Sequence, residues 1–187
     1  MLTIDQQISN FILNTYYKNE FKEIQLKQYK GKWLIIFFYP ADFTFICPTE
    51  LEELANLYPK FSREGAEILS VSCDLMYVHK AWHDSSKAVG KITFPMVADP
   101  NKKLAEYFGV YLEAEGKSLR ASFIIDPDQR LKAFEIHHND IGRSPQELLR
   151  KLQAAKFVRE NRGEVCPVNW KPGGKTLKPG IKLVGRI

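Results

Sequence analysis

The chain has 187 residues, of which 44% are hydrophobic, and a formal net charge of +5. This length and composition are typical of one globular domain with a sizeable core. The charge does not indicate a nucleic-acid partner, because residues 171–187 hold five basic residues and no acidic one and so account for the whole excess. The longest apolar run, Trp33 to Tyr39, is too short to span a bilayer, so no membrane partner is expected.

The N-terminal residues and the cysteines together indicate a reducing compartment. Residues 1–10 have no basic segment followed by a long apolar run, so we expect no secretory signal and a cytoplasmic location. Three cysteines are too few for a disulfide scaffold, and neither a CxxC pair nor a zinc-ligand spacing is present. Each thiol must therefore be considered separately.

Apolar periodicity predicts an alternating α/β domain. In chain order, the predicted elements are a strand at 33–39, a helix from 48, a strand at 66–74, a helix at 77–89, a strand at 94–99, a helix at 101–109, strands at 121–126 and 131–138, and a helix at 144–161. Helices are expected on both faces of the sheet. The domain is predicted to span residues 1–163, and residues 164–187, with three prolines and little periodicity, are predicted to form a C-terminal arm.

Cys47 lies at the junction between the first predicted strand and the first predicted helix. Pro48 is a natural residue for the first turn of a helix, and the backbone N–H groups there stabilise a thiolate, the nucleophilic form of cysteine. Thr44 carries a hydroxyl group that can bond to the sulfur or to an approaching oxygen. The alternative is a buried structural cysteine beside a helix start, which is the more frequent meaning of an isolated Cys-Pro pair.

Several longer segments resemble one enzyme family. "PADFTFICPTE" resembles the active-site motif of the peroxiredoxins. "HKAWHDSS", "LRASFIIDP", "GRSPQELLRKLQAAKFV", "GEVCPVNWKPGG" and the closing "LVGRI" are similar, in this order, to the typical two-cysteine members that form the peroxidase component of bacterial alkyl hydroperoxide reductases. The resemblance implies a thioredoxin-like fold, with a central mixed sheet flanked by helices. It also implies a thiol-dependent peroxidase for hydrogen peroxide and organic hydroperoxides, with no metal, haem or flavin cofactor.

The same resemblance implies roles for individual residues. Cys47 matches the peroxidatic cysteine, and Cys166 matches the resolving cysteine that acts from a partner subunit. Thr44 and Arg120 match residues that hold and polarise the peroxide, and Pro40 matches a residue that shields the thiolate from water. Arginine can offer fixed positive charge and planar donors to the breaking O–O bond.

Supporting residues and partners are also implied by the resemblance. Glu50 and Arg143 match polar residues near the catalytic cysteine. A homodimer that assembles into a decamer, a ring of five dimers, is expected. Electrons would come from a dithiol partner, either the flavoprotein disulfide reductase that serves alkyl hydroperoxide reductases or a thioredoxin.

The remaining notable residues have simpler explanations. Cys73 closes a predicted core strand and is interpreted as a small buried hydrophobe. The histidines at 79, 83, 137 and 138 are interpreted as surface or capping residues and not as metal ligands. Trp82 and Trp170 are interpreted as aromatic core.

Two other functions are left open by the sequence. A thiol-disulfide exchange protein would use similar chemistry, although the absence of CxxC disfavours it. A redox-sensitive holdase chaperone is the alternative outside that chemistry.

Overall fold

A computed structural model of the protein describes residues 2–186. The strands in this range are β1 Ile12–Tyr17, β2 Glu20–Gln25, β3 Trp33–Phe38, β4 Ala66–Ser72, β5 Met96–Ala98, β6 Tyr111–Leu112, β7 Lys117–Ser118, β8 Arg120–Ile125 and β9 Leu131–His137. The α-helices in the same range are α1 Cys47–Arg63, α2 Met76–Ser85, α3 Lys103–Tyr107 and α4 Pro145–Glu160.

Seven strands form one mixed sheet in the order β2-β1-β5-β4-β3-β8-β9. At its centre β3 pairs in parallel with β4 and antiparallel with β8. All six residues of β3 are buried, as a continuous apolar strand in the middle of a sheet requires. The predicted mixed sheet flanked by helices is confirmed.

Side chains of successive residues in β3 point to opposite faces of the sheet. Leu34, Ile36 and Phe38 belong to a core cluster that also holds Leu104 of α3 and Phe108 beside it. Among the helices, α1 packs on β4, and α2 packs on β1 and β5. The loop that leaves β3 therefore starts from the rigid centre of the domain.

The β1–β2 hairpin was not predicted from the sequence. Its turn residues, Lys18 and Asn19, both have positive φ (51° and 59°), the combination that a tight two-residue hairpin uses. The usual glycine is absent from this turn, and four of the six residues of β2 are exposed, so neither turn composition nor burial marks the hairpin. The two-residue strands β6 and β7 were also missed.

Helix boundaries differ from prediction at α2. The predicted helix runs to Val89, but α2 ends at Ser85, and Val89–Lys91 form a separate 3-10 turn. The start of α4 at Pro145 agrees with the predicted first helical position.

The chain divides into two compact units, residues 1–145 and 146–187. Within the second unit, Val165 and Leu177 exchange two backbone hydrogen bonds of 2.9 and 3.1 Å. The Trp170 ring packs on Phe157, with centroids 4.9 Å apart, and Arg150 donates to the Trp170 carbonyl. The boundary at residue 163 stays a prediction. Within residues 2–186, no helix combines the length and apolar character that crossing a bilayer requires.

Candidate active site

Cys47 is the first residue of α1 and is completely buried. The chain reaches it from β3 through a short loop in which Tyr39 and Pro40 are also buried. The residue before the helix, Ile46, has no side chain that could cap it, and Pro48 follows at the second helical position. The positive end of the helix is therefore not neutralised by a capping side chain, and the thiol lies there together with the carboxylate of Glu50 in the same first turn.

Arg120, at the start of β8, contacts the sulfur of Cys47. Its Nη1 donates to Sγ at 3.3 Å and to Glu50 Oε2 at 2.7 Å, while its Nε donates to the Asn139 carbonyl at 2.8 Å. Only 3% of Arg120 is exposed. Three acceptors thus fix a buried guanidinium against the thiol.

Glu50 links Arg120 to a second buried arginine, Arg143. The Arg143 guanidinium binds both Glu50 oxygens, through Nε–Oε1 at 2.9 Å and Nη2–Oε2 at 3.1 Å, and the Arg143 backbone N–H adds a bond of 2.7 Å. Burial alone would raise the pKa of Glu50, but the bonds and charge of Arg143 outweigh it and hold the pKa below its usual value. Glu50 is thus a carboxylate that orients both arginines.

The charged groups linked to one another beside Cys47 are two arginines and two glutamates. Two guanidinium groups contact the Glu50 carboxylate, and a second carboxylate, Glu135, also acts on Arg143 through its charge. Arg143 also donates to Ser122 Oγ at 3.2 Å, and Ser122 donates to Glu135, which is one step further from the sulfur. Arg120 is the member of this group that contacts the sulfur, so its N–H group is the donor available to a negative charge there.

Thr44 and Pro40 lie on the loop before the helix, as predicted. Pro40 is buried. The Thr44 hydroxyl donates its hydrogen to the Ala41 carbonyl at 2.9 Å. Because that hydrogen is engaged within the loop, the lone pairs of Thr44 Oγ1 remain as acceptors for an O–H group.

The other two thiols have different surroundings. Cys73 is half-buried and packs on the core. Burial raises the pKa of its thiol to about 11, as expected of an unreactive cysteine. Cys166 belongs to the second unit, where its Sγ lies 3.9 Å from the Ala154 carbonyl and burial raises its pKa. All three cysteines are free.

A second buried polar group near the loop was missed from the sequence. Asp42 and His79 form a contact of 2.7 Å with both side chains fully buried. The interpretation of His79 as a surface or capping residue is therefore wrong. The available signal was helical spacing: His79 and Trp82 lie three residues apart on one face of α2, and both are buried.

A mixed α/β sheet with a buried thiol at a helix start, in contact with a fixed guanidinium, defines the class of thioredoxin-like thiol enzymes. The sequence profile of the AhpC/TSA family matches residues 4–134, and that of the C-terminal domain of 1-Cys peroxiredoxin matches residues 154–182. Alkyl hydroperoxide reductase C of Staphylococcus aureus is 47% identical over 189 residues, with both chains covered completely.

Solved structures agree with these matches. AhpC of Enterococcus faecalis has a TM-score of 0.87 at 47% identity and covers 89% of this chain and 100% of its own. The reduced 2-Cys peroxiredoxin of Plasmodium vivax has a TM-score of 0.91 at 31% identity and covers 96% and 94%. The chain belongs to the AhpC/TSA family, as a thiol-dependent peroxidase of the peroxiredoxin type. The exchange-protein and holdase alternatives are not favoured.

Proposed function

We propose that Cys47 reduces hydrogen peroxide and organic hydroperoxides by direct attack on the O–O bond. The observation that carries the proposal is the 3.3 Å contact between the buried guanidinium of Arg120, through Nη1, and Cys47 Sγ. The thiolate sulfur takes the terminal peroxide oxygen, the O–O bond breaks, and the departing alkoxide or hydroxide takes one proton. The products are a Cys47 sulfenic acid and an alcohol or water.

Three neighbours of Cys47 support this step. Arg120 offers fixed N–H donors where negative charge moves from sulfur to the leaving oxygen. Thr44 Oγ1, with its own hydrogen bound to Ala41, accepts the O–H of the incoming peroxide. Pro40 is buried in the same loop and limits access of water to the thiolate. Glu50 and Arg143 hold Arg120 in position.

Resolution of the sulfenic acid is assigned to Cys166 of a second copy. The Cys166 thiol displaces the hydroxyl group of the sulfenic acid, which forms a disulfide and releases water. Bond formation needs the two Cα atoms within about 7 Å, and Cys47 is completely buried, so the first turn of α1 must open. Residues 164–187 act as the arm that carries Cys166.

Two surfaces of the first unit support a homodimer that assembles into a decamer. β9 is an edge strand of the sheet, and its first residue, Leu131, pairs with Asp5 and Gln6, so pairing with another copy would use the remainder of this edge. The second surface consists of exposed aromatic side chains along α2, where Tyr77 packs on Phe21 and Phe43 packs on Trp82. Phe21, Phe43 and Tyr77 are 44%, 56% and 59% exposed, an arrangement typical of contact surfaces.

The cycle closes when a dithiol partner reduces the disulfide. The flavoprotein disulfide reductase that serves alkyl hydroperoxide reductases is the partner proposed here, with a thioredoxin as the other candidate. Each supplies two electrons and two protons and restores both thiols. A cytoplasmic location fits this chemistry, because a reducing compartment keeps Cys47 free between turnovers.

Substitution of the two cysteines tests the assignment. Cys47→Ser should abolish peroxide consumption in the presence of a dithiol, because the nucleophile is lost. Cys166→Ser should consume one equivalent of peroxide and then stop, and a non-reducing gel should show no crosslinked dimer. Cys73→Ser is the matched control and should behave as the unmodified chain. Peroxide turnover by Cys47→Ser would contradict the assignment, and a crosslinked dimer from Cys166→Ser would move the resolving role to another thiol.

A further inference from the structure

The Asp42–His79 pair holds one shared proton in a dry environment. His79 Nε2 lies 3.1 Å from the Val97 carbonyl, which can only accept, so this nitrogen carries a hydrogen. His79 Nδ1 lies 2.7 Å from Asp42 Oδ2, and one proton between them completes the contact. The pair as a whole is neutral, and it joins the loop after β3 to α2 and to β5.

Two more bonds fix the same aspartate. The Tyr39 hydroxyl donates to Asp42 Oδ1 at 2.7 Å, and the Asp42 backbone N–H donates to Asp74 Oδ2 at 2.9 Å. Burial raises the pKa of Tyr39, so its hydroxyl keeps the hydrogen that it donates. Asp42 is thus held through its side chain and its backbone, and all its partners lie outside α1.

The next residue, Phe43, has an unfavourable backbone conformation. Its φ of 55° is in the left-handed region, which is uncommon for a bulky residue. The Phe43 ring is 56% exposed and contacts Trp82 with centroids 5.9 Å apart, so its own burial does not hold the backbone. Conformations of this kind persist only where the surroundings impose them. The bonds of Asp42, together with the Thr44–Ala41 bond, are the restraints on this turn.

We propose that the Asp42–His79 pair is a positioning element for peroxide attack, which holds the turn at Phe43 so that Thr44 and Cys47 keep their relative geometry. The inference rests on the proposed function of Cys47. The pair lies before the segment that must open for disulfide formation, and none of its contacts is to α1. It therefore serves the attack and not the resolution step.

Asparagine and leucine both have nearly the shape of aspartate, so placing each at position 42 separates a positioning role of Asp42 from a role in packing. Asp42→Asn can still accept from Tyr39 and can donate to a neutral His79, whereas Asp42→Leu can do neither. With the full-length reduced chain and limiting hydrogen peroxide, quenched samples analysed by mass would give the rates of Cys47 oxidation and of disulfide formation. Asp42→Leu should slow oxidation about tenfold, equivalent to ~1.4 kcal/mol in the barrier. Asp42→Asn should oxidise within about threefold of the unmodified rate, which corresponds to less than ~0.7 kcal/mol. The rate of disulfide formation from the oxidised thiol should be the same in both variants as in the unmodified chain.

Asp99→Leu is the matched control for general destabilisation. Asp99 is also a buried carboxylate, and it accepts backbone N–H bonds from Leu104 and Ala105 rather than bonds from Tyr39 or His79. Asp99→Leu should lower the thermal midpoint and leave the oxidation rate unchanged. If circular dichroism shows that Asp42→Leu does not fold, Asp42→Ala, which adds no bulk, replaces it.

Three results would overturn the proposal. These are an unchanged oxidation rate in Asp42→Leu, a rate in Asp42→Asn as low as in Asp42→Leu, and an equal loss in Asp99→Leu. Failure of the proposed function has a different signature, because the unmodified chain would then consume no peroxide or Cys47→Ser would continue to consume it.

Discussion

At the scale of single residues, Glu50 connects the stability of the domain with the reactivity of Cys47. It is 3% exposed, and its carboxylate accepts one bond from Arg120 and three from Arg143. Removing one partner of a buried, hydrogen-bonded ion pair leaves uncompensated charge in the interior. Glu50 cannot therefore be neutralised without effects on both arginines.

Glu50→Gln should slow oxidation of Cys47 and destabilise the fold. The glutamine amide presents N–H groups to a guanidinium, so Arg120 loses its fixed position, and we expect a rate loss of about 10–100-fold and a stability loss of about 3 kcal/mol. Stopped-flow oxidation and urea unfolding measure the two quantities. Glu52→Gln on the same helix breaks an exposed pair with Lys91. It should change neither the activation free energy of oxidation nor the free energy of unfolding by more than about 1 kcal/mol. Equal effects of the two substitutions would contradict this role of Glu50.

The same residue predicts a dependence of stability on pH. The pKa of Glu50 is lower in the folded protein than its usual value of 4.5, so the unfolded chain binds the proton more readily. The Glu50 contribution is complete above pH 4.5 and is lost as pH falls toward the folded pKa. The difference in unfolding free energy between the unmodified chain and Glu50→Gln should therefore shrink on acidification. A difference that stays constant from pH 7 to about pH 3 would contradict the sign of the shift.

At the scale of elements, α1 has two tasks that conflict. Its first turn buries Cys47 against Arg120, and in the proposed cycle the same turn must release the sulfur for disulfide formation. Two features of the turn ease release, because it has no side-chain cap and Pro48 supplies no N–H group. Glu50 of the same turn opposes it, since its bonds to Arg120 and Arg143 must break if the whole turn opens. Both tasks are met if the first turn is the least stable part of an otherwise well-packed helix.

Amide hydrogen exchange should detect this opening. In the disulfide form, amides 49–52 should exchange at least tenfold faster than in the reduced form, because the first turn has left the helix. Amides of β3, Trp33–Phe38, should be equally protected in both forms, since this central strand carries no moving residue. Unchanged protection of residues 49–52 would show that Cys47 reaches its partner without opening the turn.

At the scale of the whole molecule, the exposed aromatic surface along α2 predicts self-association. Tyr77→Ser removes apolar area from that surface without touching the thiol, so sedimentation velocity should show a shift from decamers to dimers. Ile4→Ser is the control, because Ile4 is similarly exposed (50%, against 59% for Tyr77) and does not lie on α2. Decamers of undiminished stability in Tyr77→Ser would exclude this surface from the contact.

The central elements could be predicted because their patterns are local. Trp33–Phe38 is apolar throughout, and α4 begins with a serine and a proline at the expected positions. The β1–β2 hairpin could not be predicted in this way, because β2 is mostly exposed and its turn lacks glycine. The order of the strands follows from pairing between distant segments, which periodicity does not report.

The residues of the candidate site also divide into those that local sequence marks and those that only folding brings together. A thiol beside Pro48 and a threonine three residues earlier are visible in the sequence, but alone they leave a structural cysteine open, and it is the resemblance to the peroxiredoxin motif that favours a reactive one. Arg120 is 73 residues from Cys47 in the chain, and only folding brings its guanidinium to 3.3 Å from the sulfur. The Glu50 bridge between Arg120 and Arg143 and the Asp42–His79 pair likewise depend on burial. Local sequence marked Cys47 as the candidate nucleophile, and the tertiary structure decided which charges surround it, because those charges come from strands and loops that meet only in the folded sheet.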